Sequence, residues 1–211
     1  MFKKRAAVMT ALLLAATSLT VTATSSGAAP TAPTLSPSAS PGHDDPVVKA
    51  WKEKILKQAK AAGGDAPVFK SAEYVIDPER SPAVKKGDKV TPLASTAYPV
   101  SGCTLQMVTY HDKSVSPSYV RASSLTSCLS SAGTIKHTVT LKRLDWWGWS
   151  QRASGNWTVY NTSSLAYTIS NRCSDGNYNS WEGYVHGDLW RGGYYYYADE
   201  WDEKALYCGG S

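Results

Sequence analysis

The chain lacks the short signatures that mark many enzymes: it has no Gly-x-Ser-x-Gly, no His-Glu-x-x-His, no Gly-x-Gly-x-x-Gly and no phosphate-binding loop. The serine hydrolases, zinc peptidases, dinucleotide enzymes and nucleotide hydrolases built on those signatures are therefore not indicated. No Cys-x-x-Cys spacing occurs, so the cysteines do not follow a zinc-site pattern. Excess charge is also missing. From residue 95 onward, nine Lys and Arg stand against nine Asp and Glu, which argues against the clustered basic face that phosphate-backbone binding needs. Nucleic acid is not an expected partner. The apolar run at 6–21 is short, interrupted by Thr and Ser and followed by Pro and Ser, a poor pattern for a transmembrane anchor.

That run reads instead as the core of an export signal. Lys3, Lys4 and Arg5 precede it, and Ser26-Gly27-Ala28 offers small residues for cleavage. Residues 1–28 are thus predicted to be a signal peptide, and the protein to be secreted and extracellular. No Cys lies near the cleavage point to carry a lipid, so no membrane anchor is expected. Of the formal net charge of +5, three charges belong to this segment, which leaves +2. Cys103, Cys128, Cys173 and Cys208 would meet an oxidising compartment. Three connectivities exist for four cysteines, and joining chain neighbours favours Cys103–Cys128 with Cys173–Cys208. Each bridge would stabilise the fold by about 2–4 kcal/mol and leave no thiol as a nucleophile.

Residues 24–41 are Ser, Thr, Ala and Pro with almost nothing to bury, and read as a disordered stalk. Order is expected to begin at Asp44 or Asp45, either of which can cap a helix with Pro46 in its first turn. Val47, Val48, Trp51, Ile55 and Ala59 recur at helical spacing opposite Lys49, Lys52 and Lys60, and Gly63-Gly64 marks the end. This amphipathic helix, about residues 45–62, serves either as a cover for the domain edge or as a lid, pro-segment or surface-binding element. Asp44, Asp45 and Glu53 dilute the basic character of the last role. Residues 66–93 carry four prolines and read as a connector with one strand around 69–76. The predicted organisation is a signal peptide (1–28), a stalk, helix and connector (29–94), and a disulfide-bonded β domain (95–211).

Beyond residue 95 the rhythm is period two. Ile135, His137, Val139 and Leu141 alternate with Lys136, Thr138, Thr140 and Lys142, and Leu165, Tyr167 and Ile169 alternate with smaller polar residues. Ser154-Gly155, Asp175-Gly176 and Gly192-Gly193 are turn dipeptides at hairpin intervals, with no helical stretch between them. The expected fold class is all-β, an antiparallel β-sandwich or small barrel with two disulfides. The layout of export signal, Pro/Ser stalk and Trp/Tyr-rich four-Cys domain ending in Cys-Gly-Gly-Ser is similar to that of small secreted proteins of Gram-positive bacteria. The likeness is one of layout and brings no functional residues with it.

With Gly192-Gly193 as a two-residue turn, one hairpin face carries Trp190 opposite Tyr195, Asp188 opposite Tyr197, His186 opposite Asp199 and Tyr184 opposite Trp201. The other carries Leu189 with Tyr196, and Val185 near Tyr194 and Ala198, with Trp181 further along. The second set reads as core. The first reads as a sugar-binding surface, because a ring stacks on a pyranose while Asp, His and Tyr bind its hydroxyls. Cross-strand packing alone, at about 0.2–1 kcal/mol per pair, is the competing account. Glu200 falls opposite Val185 on the core face, so the strand is expected to end or bulge by residue 199. Seven of the eight Trp lie after residue 145, more than one small core hides easily. A second group comprises Trp146, Trp147, Trp149, Trp157 and Tyr160. A turn at Ser154-Gly155 would bring Trp149 opposite Tyr160 and Arg152 opposite Trp157, and Gly148 suggests a bulge turning one ring outward.

Asp145, Glu182, Asp188 and Asp199 sit among these aromatics, and a glycosidase would need two of them about 5–9.5 Å apart. His186 and Asp188 share a strand face as a base–orienter pair without a nucleophile. The run Asp175-Gly176-Asn177-Tyr178-Asn179 is a faint calcium-loop likeness that lacks the final carboxylate, so neither metal nor cofactor is expected. The sequence therefore points first to a secreted, non-enzymatic binding domain for carbohydrate or cell-wall glycan, using Trp190, Tyr195, Tyr197, Tyr184, Trp201, His186 and Asp188. A glycan-active hydrolase using two of Asp145, Glu182 and Asp188 is the alternative. A protein-interaction or inhibitor module using the tyrosine run 194–197, with a protein as partner, is another.

Overall fold

The computed structural model describes residues 45–60, 66–82, 99–174 and 176–208. The segments predicted as signal peptide and stalk, the cap candidate Asp44, Gly63-Gly64 and Asp175 lie outside the described residues. Among the described residues one helix, α1 (Pro46–Lys60), precedes seven strands: β1 (Lys70–Glu73), β2 (Val75–Ile76), β3 (Cys103–Asp112), β4 (Tyr119–Asp145), β5 (Gly148–Arg172), β6 (Asn177–Arg191) and β7 (Tyr194–Cys208). Every ladder is antiparallel.

The 27-residue β4 organises the sheet. β5 runs beside it for nearly its whole length, so its other edge serves β3 and β6 in succession. β3 pairs with 119–128 and β6 with 134–143. The partner changes across residues 129–131, which are exposed, where the β4–β5 register also shifts. β7 continues outward from β6. β1 and β2, separated only by Tyr74, then pair with β3 and β7 respectively, which brings the two ends of the sheet together. The result is a nearly closed, barrel-like sheet, which narrows the choice between sandwich and barrel.

The interior follows the alternation seen in sequence. Ile135, Val139, Leu141, Trp181, Val185 and Leu189 are fully buried with Leu105, Met107 and Val120. Two polar devices lie among them. The His137 ring, also fully buried, has Ser124 Oγ 2.8 Å from Nδ1 and Thr126 Oγ1 2.6 Å from Nε2, and Thr126 in turn meets the Tyr74 hydroxyl at 2.7 Å. Every ring nitrogen is thereby satisfied, which burial demands. The second device is Asp202, whose Oδ2 accepts the Thr109 amide at 2.7 Å while the Thr109 hydroxyl donates to its carbonyl at 3.0 Å. This carboxylate continues the closure of β3 beyond the short β1 ladder. Burial raises its pKa despite the Thr109 hydrogen bond.

The disulfides are Cys103–Cys128 and Cys173–Cys208, as the sequence suggested. Cys103 and Cys128 are ladder partners at the end of the β3–β4 pairing. The other bridge ties the end of β5 to the end of β7.

α1 covers the outer face of β3 and the first half of β4. Asp45 caps it through the Val47 amide (2.8 Å) and also accepts the Ser127 hydroxyl. Val48, Trp51, Ile55 and Ala59 bury Val108, Tyr110 and Leu125, with Phe69 alongside. That second core explains why all ten residues of β3 are buried. Val47, expected on the apolar face, is exposed.

Three expectations need correction. Ser154-Gly155 is not a turn. Both residues lie inside β5, and the β4–β5 loop is Trp146-Trp147, closed by the Asp145–Gly148 pair. Gly155 is there because β5 folds back across itself: a Cβ would stand 2.4 Å from the Tyr167 hydroxyl. The bulge falls opposite Leu141 and Lys142, leaving Arg152 unpaired in the ladder, rather than at Gly148. Nor does β7 end or bulge at 199. The ladder is unbroken from Arg191–Tyr194 to Asn177–Cys208, and Glu200 is only half-buried, with its carboxylate accepting the Trp201 amide at 3.1 Å.

Burial pushes the His137 pKa down from 6.5 to about 3. The unfolded chain therefore takes up a proton below pH 6.5 that the folded chain refuses, so this ring's contribution is intact above pH 6.5 and declines as pH falls toward 3. The slope from one such group is at most about 1.4 kcal/mol per pH unit. Urea unfolding between pH 7 and 4 should show a shallower decline for His137→Gln than for the native chain. Equal slopes would show that the ring is not the source. A fragment 95–211, lacking α1, β1 and β2, should melt below the full chain because Val108, Tyr110 and Leu125 lose their cover. An unchanged midpoint would show that the helix adds nothing to stability.

Candidate functional site

Residues opposite one another in these ladders project to the same face, and the four strands β5, β4, β6 and β7 align their outward residues in rungs. One rung holds Tyr160, Thr134, Trp190 and Tyr195, and the next outward rung holds Thr158, Lys136, Asp188 and Tyr197. Asn156, Thr138, His186 and Asp199 follow, then Ser154, Thr140, Tyr184 and Trp201. All seven residues singled out in sequence lie on this face. No described helix covers it, in contrast to the face under α1.

The residues are not equivalent. Trp201 is 60% exposed and Tyr197 37%. Trp190 is half-buried, its ring 4.4 Å from that of Tyr195 and so close to Gly133 that a Cβ there would stand 3.0 Å from it. Its ring thus packs against these two neighbours. At the centre, His186 Nδ1 is 2.8 Å from Asp199 Oδ1 and Nε2 is 3.6 Å from Asp188 Oδ1. The His186 ring stacks near Tyr197 at 6.4 Å. Tyr184 donates to the same Asp199 carboxylate. Burial alone would raise the Asp199 pKa, but the hydrogen bonds from Tyr184 and His186 outweigh it and hold the carboxyl below its ordinary value. Burial and the Asp199 charge push Tyr184 up to about 12.

A residue without any sequence signal completes the site. Arg80, on the turn after β2, reaches Asp188 at 2.7 Å and lies 4.8 Å over the Tyr195 ring. It thereby shields one end of the face. Lys136 and the Thr and Asn rows of β4 and β5 also entered only through the topology, since a hairpin reading covers two strands.

Of the hydrolase candidates, Asp188 lies on this face beside Arg80 and His186, whereas the other two are held in ion pairs of their own. Glu182 pairs with Lys142 at 2.8 Å, and Asp145 sits by the β4–β5 loop between Arg143 and Arg152. The Ser150 hydroxyl and both arginines hold the Asp145 carboxyl below its ordinary value against opposing burial. Glu182 and Asp188 stand six residues apart on one strand, about 20 Å at strand rise, well beyond the spacing for shared work on one glycosidic bond. The tyrosine run is likewise divided: Tyr195 and Tyr197 face outward, whereas Tyr196 is buried and donates to the Pro99 carbonyl at 3.1 Å. The second tryptophan group does not cluster either. Trp157 and Tyr160 pair with His137 and Thr134, far up the hairpin from Trp146 and Trp147.

A groove of about 160 Å³ between α1 and the sheet, with Trp51, Lys54 and Arg121 in its lining, also went unseen in sequence. Arg121 is held there by Asp112 at 2.6 Å.

No protein-family model matches the chain, and no curated protein matches its sequence. The fold and this face define the class as a disulfide-linked, nearly closed antiparallel barrel with a polar–aromatic face that no described helix covers.

Replacing Asp199 with Asn should bring Tyr184 back toward an ordinary tyrosine pKa of about 10, since the charge that opposes phenolate formation is gone. NMR titration of ring-labelled tyrosine checks this. An unmoved Tyr184 would show that burial alone sets its value.

Proposed function

We propose that this protein is a secreted, non-enzymatic binding domain that recognises extracellular carbohydrate, with cell-wall glycan the leading ligand, through the outer face of β5, β4, β6 and β7. The observation that carries this reading is that a sheet face without a described helix over it combines exposed Trp201 and Tyr197 rings with a central His186–Asp199 pair and flanking rows of Thr, Ser and Asn. A ring stacks on the apolar face of a pyranose, and carboxylates, imidazole and hydroxyls answer its hydroxyl groups. Tyr184 and His186 hold Asp199 in one orientation, so little side-chain ordering remains to oppose binding. Two disulfides support a site of action in an oxidising, extracellular compartment. The ion pairs that hold Asp145 and Glu182 apart from Asp188 disfavour a hydrolase built on two of these three carboxylates.

Trp201→Ala is the decisive substitution, because its ring is exposed while that of Trp190 packs. Loss of a stacked ring should weaken glycan retention by roughly thirtyfold, about 2 kcal/mol, with a cost to folding under about 1 kcal/mol. Retention on insoluble peptidoglycan and polysaccharides, measured with the thermal midpoint of each protein, separates the effects. The reading fails if the native protein is retained by none of them, or if Trp201→Ala is retained equally.

A further inference from the structure

The β4–β5 loop presents the two most exposed tryptophans described: Trp146 is 92% exposed and Trp147 62%. Apolar rings are rarely left so bare on a soluble surface. Leu144 and Trp149, ladder partners one rung behind, add a second partly exposed apolar pair. The loop is short and firmly based. Gly148 closes it at a φ of 119°, which side-chain-bearing residues rarely adopt, and Arg143, Arg152 and Ser150 all hold Asp145 beneath it.

We infer that this tip is a contact for the interfacial region of a phospholipid bilayer, separate from the glycan-binding face. Three observations favour lipid over a glycan or a protein groove. The Trp146 and Trp147 rings stand at 89° to each other, 5.1 Å apart, so they form a wedge rather than the flat platform on which a sugar stacks. The carboxylate at the base, which would resist approach to an apolar phase, is neutralised by two arginines, and the Lys142–Glu182 pair behind it is also neutral. With Asp145, Glu182, Lys142, Arg143 and Arg152 counted together, the end of the hairpin carries one net positive charge, compatible with phosphate headgroups. Indole itself prefers the headgroup level, where its apolar body is covered and its N–H stays hydrated. No helix among the described residues is long and apolar enough to cross a membrane.

The test is flotation of the purified, oxidised protein with phosphatidylcholine vesicles, alone and with 20% phosphatidylglycerol as an assay choice of about that fraction. The native protein should float with the zwitterionic vesicles. Trp146→Ser combined with Trp147→Ser should reduce partitioning by about tenfold or more at an unchanged thermal midpoint. Trp157→Ser, an exposed indole far from the tip, should float as the native protein does. Binding to phosphatidylcholine should persist in about 1 M salt, where charge attraction is screened. The inference is overturned if the native protein fails to float with either vesicle, if the double variant floats equally, or if flotation requires the anionic lipid and vanishes in salt. Loss of glycan retention in the double variant without any vesicle binding would also overturn it, by assigning the tip to the glycan site.

Discussion

One edge of β4 has to satisfy two partners, and most of the architecture follows from how that is managed. A strand edge offers backbone donors and acceptors that need pairing. β3 takes them up to Cys128, and β6 takes them from Thr134. The fork between is held by specific chemistry. Cys103–Cys128 locks the last rung of the first partner. Arg191, at the end of the second, donates to the Ser101 carbonyl and to the Ser130 hydroxyl. Because the two partners leave β4 at a fork, their outer edges can be brought round toward one another, where β1, β2 and Asp202 close the gap.

The fork also divides the outer surface. The half formed by β3 and the start of β4 carries Val108, Tyr110 and Leu125 and is covered by α1. On the other half, the outward residues of β4 are Thr134, Lys136, Thr138 and Thr140, which have no need of cover. The helix and the polar–aromatic face are therefore complementary answers to one difference in strand composition. The seated helix acts as part of the packing, anchored by Trp51 to Ser123 at 3.2 Å and by Gln58 to Tyr110 at 2.9 Å.

How much of this was legible depended on range. Period-two alternation identified the buried set Ile135, Val139 and Leu141, and parity about Gly192-Gly193 matched the four pairs from Trp190–Tyr195 to Tyr184–Trp201, because a two-residue turn leaves no freedom, although the break expected by residue 199 does not occur. Helical spacing located α1, though not what it covers. The reading failed where a local pattern has a distant cause. Ser154-Gly155 looks like a turn, but its glycine makes room for the Tyr167 ring, a contact no window of sequence contains. Glu200 looked misplaced because a core face was assumed to be uniformly apolar, whereas the strand bears its carboxylate only half-buried. Arg80 illustrates the same limit at the site: it reaches Asp188 across 108 positions of chain.

β5 has one consequence for the protein's behaviour at high concentration. It is 25 residues long, pairs with β4 alone among the described strands, and has Arg152 and Arg172 as its only charged side chains. A straight, uncharged edge of that length would invite copies of the chain to stack edge to edge. Asn161 interrupts it with a φ of 52°, and the register shifts on either side of Arg152 and beside Ser127 break its line further. What could have been one long template is divided into shorter, differently twisted pieces. Protection of this edge thus rests on irregularities of its backbone as much as on its charge.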